Sequence, residues 1–128
     1  MLAIVALLLG IALPRFGLIR DQLAVGEEAG RIAAAHCRAR ITAILESRPI
    51  LLTIGPDSLR IAVDPDSGTL WIEPGPSAHG VTLAGGSRQL TFSPVGITTG
   101  LSNATFRLTR GVASRTVVVS RLGRLRIF

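Results

Sequence analysis

Three arginines near the C-terminus are the residues of this chain whose type and spacing best fit a binding function. Arg121, Arg124 and Arg126 lie in a segment where polar and apolar residues alternate, as they do along a β-strand. Arg124 and Arg126 would then lie on one face of the strand, with Leu125 and Ile127 on the other. A row of guanidinium groups can bind the phosphates of a nucleic acid. The same row can also be a solvated strand face or an edge charged against unwanted pairing.

The sequence shows no pattern of a catalytic, metal or cofactor site. Asp64 and Asp66 stand in a turn rich in Pro and Gly, and are expected to be turn formers rather than an acid–base pair. His36 and His79 are far apart in the sequence, and no Cys, His and carboxylate cluster has the spacing of metal ligands. The single cysteine, Cys37, falls in a helical pattern and is predicted to be a buried structural thiol. We therefore expect a protein that is not an enzyme and uses no cofactor.

The basic residues of the chain are all arginine. Fourteen of them stand against eight carboxylates, which gives a formal net charge of +6. This charge permits association with anionic lipid or nucleic acid, although it says nothing about the fold. Arg115, Arg107 and Arg110, on the preceding predicted strands, could extend the C-terminal row. Aromatic residues are few and none interleaves with these arginines, so a base-stacking platform is not predicted.

The N-terminal segment is predicted to be a membrane anchor. Residues 1–13 carry no charge and no hydrogen-bonding side chain, and Arg15 is the first charged residue. A helix over residues 1–19 would be about 29 Å long, close to the ~30 Å hydrocarbon core of a bilayer. An arginine near its end can reach the headgroups. A cleaved signal would need a basic segment before the apolar run, and it remains an alternative together with a buried core helix.

The next segment, residues 18–47, has the periodicity of an amphipathic helix. Its small-residue stripe recurs at spacings of three and four and consists of Ile19, Leu23, Gly26, Gly30, Ala33, Cys37, Ile41 and Ile44. The charged residues fall mostly away from this stripe. Because each helical glycine costs about 1 kcal/mol relative to alanine, we expect a β-sheet to pack very closely against Gly26 and Gly30. Pro49 ends the helical pattern.

After Pro49 the pattern changes to the two-residue period of β-strands. In order, the predicted strands are 50–54, 59–63, 70–72, 89–92, 104–109, 116–120 and 124–128, with a further short strand at 81–83 inside a long loop over 73–86. Residues 64–68 are expected to form a turn. One long helix followed only by strands with short turns indicates an α+β fold, with the helix packed on an antiparallel sheet. The stripe, Phe92, Phe106, Val117 and Val119 are expected in its core.

Motifs at both ends of the chain have counterparts in a known group of proteins. The segment LLLGIALPRF, residues 7–16, is an apolar run that closes in a proline followed by a basic residue. LTFSPVGITTG (90–100), TFRLTRG (105–111) and RTVVVSRLGRLRI (115–127) follow the order of an F-x-P-x-G segment, a polar turn, a strand, and a strand leading into G-R-x-R. With these segments the chain, over essentially its whole length, resembles the type IV pilin-like proteins, specifically the GspH/FimT group of minor pseudopilins.

This resemblance implies a pilin-like fold and a structural role as a minor pseudopilin of a type II secretion pseudopilus or a related pilus. Residues 1–19 would span the bacterial inner membrane and contact other pseudopilins or pilins, and residues 20–128 would form a periplasmic domain that works with the secretion or pilus assembly machinery. For FimT-like members the resemblance implies DNA binding during uptake through C-terminal arginines. Arg124 and Arg126 occupy the matching G-R-x-R positions, with Arg121 beside them.

One feature of the group has no counterpart in this sequence. The group begins with a basic leader, a glycine cut by prepilin peptidase, a phenylalanine that becomes N-methylated, and a glutamate shortly after it; none of these precedes the apolar run here. That glutamate pairs in lipid with a neighbouring subunit's terminal amine, because an unpaired charge there is costly. An internal start or a truncated gene would explain the difference, and no methylation site is assigned.

Overall fold

The computed structural model describes residues 2–63, 68–99, 104–120, 122 and 124–128, without the side chains of residues 2, 7–15 and 99. One helix, α1, covers Leu2–Glu46. At about 1.5 Å per residue, its 45 residues span roughly 68 Å. The helix ends where Ser47 adopts a left-handed conformation with φ of 52°, and Pro49 disfavours helical geometry in the residue before it.

The N-terminal part of α1 is exposed wherever its side chains are described, at residues 3–6 and 16–20. Phe16, for example, is 74% exposed. The helix continues without a break across the predicted boundary between residues 19 and 20. Among the described residues, no helix is both long enough and apolar enough to cross a membrane.

Nine strands are described after the helix, and they form two antiparallel sheets. They are β1 (Ile50–Ile54), β2 (Ser58–Val63), β3 (Thr69–Pro74), β4 (Thr82–Ala84), β5 (Arg88–Phe92), β6 (Thr98–Thr99), β7 (Ala104–Arg110), β8 (Ala113–Val119) and β9 (Leu125–Ile127). The first sheet has the strand order β3-β2-β1-β5-β6, and the second has the order β4-β7-β8-β9. A 3-10 helix, Pro76–His79, and the short strand β4 interrupt the predicted loop over 73–86.

The predicted α+β fold, a long helix packed on antiparallel β-structure, is confirmed. The division of the strands into two sheets is not visible in the sequence, since the period of a strand tells which residues share a face but not which strands are neighbours. The predicted turn at 64–68 lies outside the described residues except for Gly68, whose carbonyl oxygen accepts a 3.2 Å hydrogen bond from the backbone of Val63.

Helix α1 and both sheets share one hydrophobic core. Alternate residues of the strands point into it, as along β7, where Ala104, Phe106 and Leu108 are buried and the residues between them are exposed. The buried apolar residues of α1 are Val25, Ala29, Ile32, Ala35, Ala39 and Ala43; the largest from the sheets include Ile50, Leu52, Ile54, Leu59, Ile61, Phe92, Phe106 and Leu108. Phe92, Phe106, Val117 and Val119 therefore occupy the core as predicted.

The predicted buried face of α1 is wrong, because the small-residue stripe points away from the sheets. Leu23 and Ile41 are 61% and 54% exposed. A Cβ added to Gly26 or to Gly30 would meet nothing within 4 Å, so no strand approaches these glycines. Cys37, predicted to be buried, is also exposed.

The residues that α1 buries precede the stripe by one position, as Val25 precedes Gly26, Ala29 precedes Gly30 and Ile32 precedes Ala33. One residue corresponds to a rotation of about 100° around the helix. Both rows are apolar and both have helical spacing, so periodicity alone did not distinguish them. Side-chain size did not distinguish them either, because the buried row is itself mostly alanine, with Val25 and Ile32 as its larger members. Helix α1 thus has two apolar faces, and its own sheets cover one of them.

Candidate functional site

The C-terminal arginines line a groove between α1 and the edge of the second sheet. This cavity has a volume of about 770 Å³ and is called here the arginine groove. Its lining consists of Ala33, His36, Cys37 and Arg40 of α1, Val118 of β8, Ser120, Leu122 and Arg124 between the two strands, and Leu125 and Arg126 of β9. Arg124 and Arg126 are exposed. The predicted pair is thereby joined by a third guanidinium, from Arg40 on the helix.

Backbone pairing at the edge strand β9 positions the two C-terminal arginines. Arg126 lies opposite Val118 of β8. Ser120 holds the turn in two ways: its backbone N donates to the carbonyl oxygen of Arg124 at 2.8 Å, and its hydroxyl accepts from the backbone N of Arg124 at 3.2 Å. Leu125 packs against the core, so the arginines on either side of it are turned outward, as the alternation predicts.

Of the other arginines in the predicted row, those that the structure describes do not line the groove. Arg121 lies outside the described residues. Arg107 and Arg115 are exposed on β7 and β8 and do not line the groove. Arg110 points to the opposite end of the domain, where its Nε lies 3.0 Å from Oδ1 of Asp21.

One described aromatic ring, that of Phe128, contacts an arginine of the groove. The Cζ atom of Arg126 is 5.8 Å from the ring centroid of Phe128. The Arg126 guanidinium therefore covers a ring face, a favourable cation–π arrangement. This contact orients Arg126 but leaves that face unavailable for stacking with a base.

His36 is a buried polar residue at the wall of the arginine groove. It is 3% exposed, and its ring meets that of Phe92 edge to face, with centroids 5.0 Å apart and an interplanar angle of 77°. Its Nε2 atom has no hydrogen-bond partner among the described residues. Burial lowers the pKa of His36, and the nearby positive charge of Arg40 lowers it further. No sequence pattern indicated this environment, since His36 falls in an ordinary helical pattern.

Replacing His36 should remove an acid sensitivity of the fold. The unfolded chain has the ordinary histidine pKa of 6.5 and binds a proton that the folded protein, with its lowered pKa, does not bind. The free energy of unfolding therefore falls as the pH drops below about 6.5. In urea unfolding at pH 7.5 and 5.5, His36→Leu should lose less stability on acidification than the unmodified protein. An equal loss of unfolding free energy in the two proteins would contradict this prediction. The effect of carboxylate titration cancels in the comparison because both proteins have the same carboxylates.

A cluster of polar side chains joins α1, near Glu28, to the 3-10 helix Pro76–His79. Glu28 is 1% exposed, although its charge was expected to lie away from the buried face. Its Oε2 atom is 3.0 Å from Nδ1 of His79 and 3.7 Å from Nη1 of Arg31, and this Nη1 also lies 2.9 Å from Nδ1 of His79. Burial raises the pKa of Glu28, against the opposing effect of the positive charges of His79 and Arg31. Its Oε1 atom has no hydrogen-bond partner among the described residues.

Arg110 ties the same 3-10 helix to the rest of the domain. Its Nη1 donates to the carbonyl oxygen of His79 at 3.1 Å while its Nε pairs with Asp21. Gly111, with φ of 59°, follows it, and a Cβ there would lie 2.7 Å from Oδ2 of Asp21. The cluster thus fixes a surface segment to α1 through polar contacts, which indicates a structural role.

Removing the imidazole from this cluster should destabilise the protein through the buried carboxylate. For His79→Ala we expect the free energy of unfolding to fall by about 1–2 kcal/mol, because Glu28 loses its nearest partner. A Glu28→Leu/His79→Ala double variant should recover most of this loss, since no buried charge is left. Urea unfolding of the four proteins of this cycle provides the measurement. If His79→Ala costs as much when Glu28 is already leucine, the contact with the carboxylate is not the cause.

The fold and its surfaces define the class of the protein. One long helix lays one apolar face on antiparallel β-structure and leaves a second apolar face uncovered, which is the architecture of a pilin-like subunit. A family model described as Type II transport protein GspH matches residues 28–123. The chain belongs to this GspH family.

Comparison with solved structures supports the same fold. Two crystal structures of the type IV minor pilin FimU from Pseudomonas aeruginosa match with TM-scores of 0.69 and 0.67, both at 20% identity. The matches cover 81% and 80% of this chain and 87% and 91% of the FimU chains. A comparison with curated proteins gives no match.

Proposed function

We propose that the protein is a minor pseudopilin, a subunit of a type II secretion pseudopilus or a related pilus-like filament that supports protein secretion. Membership of the GspH family gives the class. The observation that carries the proposal is the small-residue stripe, an apolar face of α1 that the sheets of the same subunit do not cover. Neighbouring pseudopilins in the filament would cover it.

The composition of the stripe suits contact between helices. From Leu23 to Ile44 it extends about 32 Å along α1 at 1.5 Å per residue. A Cβ added at Gly26 or Gly30, near its centre, would meet nothing within 4 Å, so a partner helix can approach the backbone closely there. Helical glycines lower the stability of an isolated helix. Contact with another subunit gives a reason for glycine at these positions that the isolated fold does not.

We propose further that residues 1–19 anchor the subunit in the inner membrane and that residues 20–128 form its periplasmic domain. The support is the uncharged run over residues 1–13 and the exposure of Phe16, Leu18 and Ile19, which the sheets do not cover. Before assembly this segment would hold the subunit in the bilayer. After assembly it would continue the stripe into contacts with other subunits.

Gly30→Leu tests the assembly proposal. The variant adds a bulky side chain at the centre of the stripe, where the isolated fold has open space. We expect a folded protein whose recovery with sheared, sedimented filaments falls about tenfold, because a partner helix can no longer approach. Gly68→Leu is the matched control, since a Cβ at that exposed glycine also meets nothing within 4 Å. Normal incorporation of Gly30→Leu would contradict the proposal.

A second candidate function is DNA binding through Arg124 and Arg126, with Arg121 as a third predicted contributor. The observation that favours it is the convergence of Arg124 and Arg126 with Arg40 in one groove. An oligonucleotide titration of the full chain over a range of salt concentrations tests it. Loss of two phosphate contacts in Arg124→Ala/Arg126→Ala should make the slope of log K against log salt shallower by about 1.4 for single strands.

The control for that titration is the double variant Arg107→Ala/Arg115→Ala, which removes two exposed arginines that do not line the groove. Both double variants change the net charge equally. Equal effects of the two would assign the binding to net charge alone, and absence of binding at low salt would exclude the DNA function.

A further inference from the structure

The arginine groove combines uncompensated positive charge with a buried, unpartnered nitrogen. Among the described residues, no carboxylate lies within ion-pair distance of Arg40, Arg124 or Arg126. His36 lines the same cavity with a side chain that is only 3% exposed, and its buried Nε2 atom has no hydrogen-bond partner among the described residues. Buried polar atoms normally have a hydrogen-bond partner, so a buried nitrogen without a partner requires an explanation.

We propose that the arginine groove is a binding site for one phosphate group, held by the guanidinium groups of its three arginines and by Nε2 of His36. An oxyanion at this position would accept charge-assisted hydrogen bonds from guanidinium groups on two different elements, α1 and β9. It would also give the imidazole nitrogen the partner that it lacks among the described residues. Arginine suits this task because its planar fork of donors matches the geometry of phosphate oxygens.

The remaining lining favours one compact anion over an extended stacked strand. Ala33, Val118 and Leu125 make much of the wall apolar, and the charged groups of the lining are the three arginines. The one described aromatic ring beside the groove, that of Phe128, already lies under Arg126. Stacking of successive bases therefore has no free platform at the groove.

Two compounds carry a phosphate group of this kind: free inorganic phosphate and the backbone of a nucleic acid. The second source rests on the proposed DNA function, whereas the site itself does not. A lipid headgroup fits poorly, because His36 lies about 26 Å along α1 from Ile19 at 1.5 Å per residue. The two remaining sources share the same chemistry, and the experiment separates them.

His36 is also the natural reporter of occupancy. Burial and then the positive charge of Arg40, on the same helix, lower the pKa of His36. Arg124, just before β9, and Arg126, in β9, line the groove with it, whereas Phe92, Val118 and Ser120 carry no charge. An anion in the groove would offset the positive charge of Arg40. Binding should therefore raise the pKa of His36 and, by linkage, tighten as the pH falls.

The test is an NMR titration of both histidines of the full chain in a non-ionic detergent, which contains no phosphate. Adding inorganic phosphate should move the ring signals of His36 and shift its titration to higher pH. His79, at the Glu28 cluster, serves as the internal reference and should not respond. Sodium chloride at equal ionic strength should leave both unchanged. No saturable response of His36 up to tens of millimolar phosphate, or an equal response of His79, would overturn the proposal.

Two substitutions on the same helix separate a site from general charge. Arg40→Gln removes a groove guanidinium and should weaken phosphate binding about tenfold or more. Arg38→Gln removes the same charge two residues away, where the guanidinium lies 5.0 Å from the ring centroid of Trp71, outside the groove; it should have little effect. Equal weakening by both variants would overturn the proposal.

Competition identifies the carrier. If a single-stranded oligonucleotide displaces phosphate from His36, the site serves nucleic-acid phosphates and both proposals hold. If phosphate binds and the oligonucleotide does not compete, the phosphate site stands and the DNA function fails.

Discussion

Phe92→Ala is expected to lower the free energy of unfolding by about 3–5 kcal/mol, a large part of the 5–15 kcal/mol typical of a small domain. The side chain is fully buried where β5 meets α1. It contacts His36 edge to face, and its residue pairs with Ile50 of β1 on one side and Thr98 of β6 on the other. Alanine would leave a cavity among three elements that cannot easily close together.

Phe16→Ala is the matched control for this prediction, since Phe16 is 74% exposed. The same atoms are removed, but no cavity forms in the core, so the change in unfolding free energy should stay within about 0.5 kcal/mol. Urea unfolding followed by circular dichroism measures both variants. A loss below about 1 kcal/mol for Phe92→Ala would contradict the placement of this ring at the centre of the core.

Two adjacent substitutions on α1 should have opposite effects on stability. Ala29→Leu places three extra carbons on the buried face, where overpacking typically costs about 1–3 kcal/mol. Gly30→Leu places a side chain in open space and should raise the free energy of unfolding by up to about 1 kcal/mol, through helix propensity alone. The two variants should therefore differ by about 1–4 kcal/mol although the altered residues are neighbours.

This pair decides which face of α1 lies on the sheets. Urea midpoints of the two variants, measured beside the unmodified protein, are sufficient. If Gly30→Leu destabilises and Ala29→Leu does not, the helix is rotated to place the small-residue stripe on the sheets. The monomer must be verified by sedimentation, because self-association through the stripe would add stability unrelated to the fold.

The strands were predictable from the sequence because each depends on a local signal. The alternation of Leu59, Ile61 and Val63 with smaller or polar residues indicates a strand with one buried face, and β2 lies there. The strand Ile50–Ile54 was predicted with its observed bounds, since Pro49 precedes it and Gly55 follows. The α+β class followed from the order of these elements.

The buried face of α1 was not predictable in the same way. Val25 and Gly26, or Ala29 and Gly30, are apolar neighbours, so two rows with the same spacing compete along one helix. What separates the rows is contact: one meets the protein's own sheets, and the other is available to a partner. The periodicity of the sequence shows that both faces of α1 avoid charge, but it does not show which surface covers each face.

The polar contacts of the site were also beyond the sequence, because each joins residues distant along the chain. Glu28 and His79 meet only because the 3-10 helix folds back on α1. Arg40 lines the same groove as Arg124 and Arg126 only because β9 pairs at the edge of the second sheet beside the helix. The C-terminal pair was singled out by its G-R-x-R motif, and its binding role stays a prediction, whereas Arg40 and His36 carried no local signal.

Cys37 offers the most direct test of the proposal that the outward face of α1 is an assembly surface. It is the single cysteine of the chain, it lies on the small-residue stripe, and it is exposed in the isolated protein. The measurement is the rate at which a maleimide reagent labels this thiol in the isolated subunit and in assembled filaments. If neighbouring subunits cover the stripe, labelling should be at least about tenfold slower in the filament, because the reagent reaches the thiol only when the contact opens. Equal rates in the two states, with the subunit demonstrably present in the filament, would contradict the account.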